Sequence, residues 1–105
     1  MTELTKDSDF LACCIYREYC RRRKDGIPKR QANYFDSDFK ANEPKLSKWL
    51  QDDYLYTIGE LKRAGFVKSY LYGNFAITDQ FVIYMENRFK KGLIEVTDFI
   101  AKFIP

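Results

Sequence analysis

The densest chemistry in this chain is cationic. Between Arg17 and Arg30 stand Arg17, Arg21, Arg22, Arg23, Lys24, Lys29 and Arg30 against Glu18 and Asp25 alone, a net +5 in a chain whose total is +3. A focused positive patch attracts phosphate, and the run from Arg21 through Arg22 and Arg23 to Lys24 is its centre. The plainer reading is a solvated helix end, since cations in a last turn suit the negative end of the helix dipole. The thiols offer less. Cys13, Cys14 and Cys20 form no CxxC pair, and with histidine absent neither Cys/His zinc spacings nor a thiol–histidine nucleophile can be assembled. Small apolar core residues are the expected role of all three. No carboxylate pair is placed for acid–base work, and neither GxxxxGKS/T nor GxGxxG occurs. No catalytic residue, metal or cofactor is therefore expected.

What must position these groups is one domain, since 105 residues suffice for a single core and fall short of two. Nine Phe, eight Tyr and one Trp supply bulky apolar material for it. No apolar run is long enough to cross a bilayer and no signal peptide is evident, so a reducing cytoplasm is the expected compartment. Residues 1–6 carry no pattern and are expected to be loose. Asp7 or Ser8 then caps a helix to about Lys24, with Phe10, Leu11, Cys14, Ile15 and Tyr19 on its buried stripe and Arg17 and the arginine run opposite. Asp25-Gly26 and Pro28 stop it. Residues 27–35 are ambiguous. Asp36 or Ser37 caps a short helix through Ala41, and Asn42 offers a second start with Pro44 in its first turn. Leu46, Leu50, Tyr54, Ile58 and Leu61 step along one face of a helix of about twenty residues; the alternative is a short helix at Lys45–Leu50, a turn near Asp52 and a second helix to Ala64.

The stretch from Leu61 to Asn87 is the most legible. Gly65 ends a helix, Phe66 to Tyr72 supplies a strand, and Gly73-Asn74 turns the chain back into Phe75-Ala76-Ile77. Thr78 caps a helix from Asp79 to about Lys91 that points Phe81, Tyr84, Met85 and Phe89 inward. After Gly92, Leu93, Val96, Ile100 and Phe103 make a closing helix, its apolar surface widened by Ile94, Phe99 and Ile104. The expected fold is mainly α with a small β-hairpin: four or five helices and one two-stranded wing.

Three pieces resemble small winged-helix proteins of the YjcQ-like type. Leu61-Lys62-Arg63-Ala64-Gly65-Phe66-Val67 is similar to the LKxxGxI that ends a recognition helix. Ala76-Ile77-Thr78-Asp79-Gln80 with Tyr84-Met85-Glu86-Asn87 is similar to the LTxxGxxYLEN that leaves the wing, although Phe81 stands where that family has Gly. The apolar helix from Leu93 completes the likeness, which covers the C-terminal half. It implies a winged helix-turn-helix with an extra C-terminal helix, a DNA-binding regulator of transcription or of a mobile element. The helix ending at Ala64 would enter the major groove and the wing would lie on neighbouring backbone.

On this chain the contacts so implied are Lys45, Lys48, Gln51, Lys62 and Arg63 along the helix, Lys68, Tyr70, Tyr72 and Asn74 on the wing, and the Arg21–Lys24 run. Asp52 and Asp53 count against that role, as carboxylates repel phosphate. The closing helix either completes the monomer core or pairs two copies in a homodimer. The rival reading is a winged helix that binds protein through its aromatic wing and closing helix.

Overall fold

The computed structural model describes residues 3–103, and its first helix, α1 (Lys6–Lys24), starts earlier than the sequence suggests. Thr5 is the cap, not Asp7 or Ser8: its Oγ1 accepts the Ser8 N–H at 3.1 Å. Asp7 and Asp9 remain in the first turn, where they complement the dipole. Of the segment expected to be loose, Met1 and Thr2 lie outside the described residues. From Leu11 through Arg17 every residue of α1 is buried, because α2, α4 and α6 all pack on it. A surrounded helix has no solvated face at its middle. Arg17, expected outside, is instead only 8% exposed and paired with Glu43.

The ambiguous stretch holds α2 (Lys29–Ala32) and a short strand, β1 (Tyr34–Phe35). Asp36 Oδ1 accepts the Asp38 N–H at 2.9 Å and so starts α3 (Asp38–Asn42). The twenty-residue helix does not form, and neither does a helix at Lys45–Leu50. Hydrogen-bonded turns run from Glu43 to Trp49, and α4 (Gln51–Arg63) begins after Leu50, whose ψ of 140° breaks the rod. Leu50 therefore leaves the expected stripe and is 71% exposed, while Leu46, Tyr54, Ile58 and Leu61 are buried.

At its other end α4 stops as expected. Gly65 takes φ 83°, and Phe66 and Gly65 donate back to the carbonyls of Leu61 and Lys62, both at 2.9 Å. The hairpin follows as β2 (Val67–Ser69) and β3 (Phe75–Ile77), with Val67 opposite Ile77, Lys68 opposite Ala76 and Ser69 opposite Phe75. Its turn is centred on Tyr72-Gly73, one residue before the expected Gly73-Asn74. Both have positive φ, 62° and 78°, whereas Asn74 is extended; Asn74 N–H bonds Leu71 O at 3.2 Å across them. Strand register is set by the residues that need burial, here Val67, Phe75 and Ile77. The turn follows that demand.

The sheet has a third strand that the sequence did not reveal. β1 pairs antiparallel with β3, Tyr34 opposite Ala76 and Phe35 opposite Phe75, in the order β1-β3-β2. The Phe35 and Phe75 rings stack at 5.1 Å on the inner face. Thr78 then caps α5 (Asp79–Arg88), accepting the Phe81 N–H at 3.2 Å and donating to Gly65 O at 2.8 Å. The helix ends three residues before Lys91, where Phe89 leaves helical φ/ψ and packs between Tyr16 and Phe99. After Gly92, α6 (Leu93–Lys102) lays Val96 and Ile100 in the core beside α1. Ile104 lies outside the described residues. The protein is thus mainly helical with one small antiparallel sheet.

Candidate nucleic-acid interface

The residues singled out from the sequence fall into three places. Lys62 and Arg63, in the last turn of α4, meet Ser69, Tyr70 and Gly73 of the hairpin around a groove of about 530 Å3, with Leu55, Ile58 and Gly59 as its floor. Lys68 stands on the outer face of the sheet, opposite Ala76 and so in one row with Tyr34. Tyr34 and Tyr70 approach to 6.3 Å. Tyr72, 86% exposed, forms the hairpin tip with Leu71. Asn74 closes the turn through its backbone, its carbonyl accepting the Tyr70 N–H at 2.7 Å.

Helical spacing orders the exposed face of α4. Gln51 and Asp52, Leu55 and Tyr56, then Lys62 and Arg63 succeed one another along it. The face is polarised: carboxylates at its start offset the helix dipole, apolar groups sit midway, and the cations lie beside the hairpin. Arg63 rests 5.9 Å from the Tyr56 ring centroid. Glu60 turns away, accepting the Thr5 hydroxyl at 3.2 Å.

The second group is Arg21 and Arg22. They share a depression with four carboxylates, Glu18, Asp36, Asp38 and Glu43. Arg22 is bound internally: it donates to Glu18 Oε2 at 3.0 Å, to the carbonyls of Ala32 at 3.1 Å and Tyr34 at 2.7 Å, and stacks 4.3 Å over Phe35. It ties the end of α1 to β1. Arg23 donates to Ile27 O at 3.0 Å, while Lys24 is exposed. The third group, Lys45 and Lys48, lines a separate cavity beside the start of α1 and the end of α6.

No protein-family model, curated protein or solved structure matches this chain. The chemistry of the site is then the chemistry of its own residues. Cys13 and Cys14 are fully buried, and desolvation pushes both thiols up to about 12, so neither is a nucleophile near neutrality. Burial likewise raises the Tyr54 hydroxyl. Among the described residues no cluster of His, Cys, Asp or Glu is grouped to hold a metal ion, and no helix is long and apolar enough to cross a membrane.

Sequence reasoning missed Tyr34 and Leu55. Tyr34 lay in an unassigned segment. Leu55 carried a usable signal, being a large aliphatic residue off the Tyr54–Ile58–Leu61 stripe and next to the exposed Tyr56.

Proposed function

We propose that this protein is a winged-helix domain that binds duplex DNA through α4 and the β2–β3 hairpin. The observation that carries the reading is the groove where Lys62 and Arg63 of α4 face Ser69, Tyr70 and Gly73 of the hairpin, with Lys68 exposed on the outer face of the same hairpin. The order of two helices, strand, two helices, hairpin and two further helices, with a β1-β3-β2 sheet, supports the winged-helix assignment. In this reading Lys62, Arg63 and Lys68 contact phosphate, Leu55 and Tyr56 give apolar contact to base edges, and Tyr72 reaches the adjoining groove. Arg21 and Arg22 contribute little, since carboxylates surround them. Among the described residues α6 leaves Ile94 71% exposed and Leu93 and Phe99 half-buried, the surface a second copy would cover.

Fluorescence anisotropy on a random duplex tests this. Three phosphate contacts predict a log–log salt slope of about −3. Replacing Lys62, Arg63 and Lys68 by Ala flattens that slope. No binding at low salt overturns the reading. In its place would stand a protein-binding surface, favoured by the exposed Leu55, Tyr56, Leu71 and Tyr72 at 41%, 67%, 75% and 86%, and its complex would be nearly salt-independent.

A further inference from the structure

A second cavity lies away from the α4–hairpin groove and has a different character. Of about 550 Å3, it opens between the start of α1, the turn before α4 and the end of α6. Its walls are aromatic. Phe10 lies at the centre, 6.3 Å from Trp49 with the rings 25° apart and 5.0 Å from Phe103. Its rim is cationic: among the described residues Lys6, Lys45 and Lys48 line it against a single carboxylate, Asp7. All three lysines are exposed, and none bonds a carboxylate among the described residues.

The rim is held rigidly. Lys45, Lys48 and Trp49 sit on turns that Glu43 organises. Glu43 Oε2 accepts the Lys45 N–H at 3.1 Å, its Oε1 bonds Arg17 at 2.9 Å, and its carbonyl accepts from Leu46 and Ser47, both at 2.9 Å. Lys40 adds a bond to Ser47 O at 3.3 Å. A preformed concave site with flat apolar walls and a few convergent charges of one sign is built for a small amphipathic ligand. Ring faces favour a planar aromatic body, and three lysines favour an anion.

We propose that this cavity binds a small aromatic anion, stacked among Phe10, Trp49 and Phe103 with its acid group on Lys45 and Lys48. Trp49 immediately precedes Leu50 and α4, so an occupant touches the residue from which α4 starts. The inference stands apart from the duplex reading, because Lys62, Arg63 and Lys68 do not line this cavity.

Trp49 is the chain's one tryptophan and reports on the site directly. The probe is 1-anilinonaphthalene-8-sulfonate added to the full chain, read by Trp49-sensitised emission, with 2-naphthoate and uncharged 2-naphthamide as competitors. Saturable 1:1 binding is expected, displaced by the acid and poorly by the amide. Lys45→Gln with Lys48→Gln weakens it about fivefold or more, as two partly exposed ion pairs are lost. Both are surface positions, so the circular dichroism of the variant stays that of the wild type. Absence of saturable binding, equal displacement by the amide, or unchanged affinity in the double variant would each overturn the proposal.

Discussion

Glu43→Ala tests whether the turn before α4 is anchored as described. Glu43 is 5% exposed and Arg17 8%, with 2.9 Å between Oε1 and Nη2. Among the described residues Arg17 Nε has no hydrogen-bond partner, so the guanidinium is already incompletely satisfied. Removing Glu43 leaves that cation buried and alone, at about 3–5 kcal/mol. The Lys45 N–H loses its acceptor as well, for about 1 kcal/mol. A domain of this size has about 5–15 kcal/mol in total, so the variant forfeits a large share. At about 4–5 °C per kcal/mol for a domain of this size, a loss of about 4–6 kcal/mol lowers the melting temperature by roughly 15–30 °C. Urea denaturation followed through Trp49 emission measures the free-energy loss, and a thermal scan of the same signal the fall in melting temperature. Arg17→Met with Glu43→Leu removes both charges and fills the space, and is expected within about 2 kcal/mol of the wild type. A Glu43→Ala cost below about 1 kcal/mol, or a double variant as unstable as the sum of the singles, refutes the reasoning.

Thr78→Ala removes the cap of α5 and the bond to Gly65 O, and chemical denaturation should record a loss of about 1–2 kcal/mol. Tyr72→Gly relieves a left-handed residue at φ 62°, so stability is unchanged or rises by up to about 1 kcal/mol and, if the hairpin tip binds duplex as proposed, affinity for it falls; loss of stability would show that the tip is not strained. Stability also falls with alkalinity. Burial raises the Cys13 and Cys14 thiols from 9.0 to about 12, so the folded chain holds protons that the unfolded chain releases. The stabilisation is intact below pH 9.0 and is lost as pH climbs to about 12, with Tyr16 and Tyr54 adding to the loss at the upper end. Urea midpoints at rising pH follow this, and a thiol reagent near neutral pH should modify Cys20, the half-buried one, well before Cys13 or Cys14.

What could be read from the sequence was local. The Gly65 stop, the Thr78 cap and the small apolar strands between them depend on neighbours within a few positions, and all three form. What could not be read depended on distant partners. β1 is two residues long and has no pattern of its own; it is a strand because Tyr34 and Phe35 find Ala76 and Phe75 forty residues on. The break at Leu50 has no Gly or Pro to announce it. It follows from the turns that Glu43 organises once its carboxylate is held by Arg17, 26 positions away.

The same distinction governs the charge. Counting along the chain makes Arg17 to Lys24 the strongest phosphate attractor, but a linear count omits the carboxylates that folding brings alongside. Glu43 neutralises Arg17, Glu18 holds Arg22 and approaches Arg21 at 3.9 Å, and Asp36 and Asp38 line the same depression. Lys62 and Arg63 border a groove that no carboxylate lines among the described residues, with Glu3 and Glu60 on the far side of Arg63, and Lys68 stands exposed on the outer face of the sheet. At physiological salt the field decays within about 8 Å, so the nearest few side chains decide what an anion meets. If the duplex is bound, the arginine run therefore contributes less to the salt slope than three residues that are inconspicuous by count. Neutralising Arg21 and Arg23 should leave that slope nearly unchanged, and a drop of a full unit on their removal would contradict the argument.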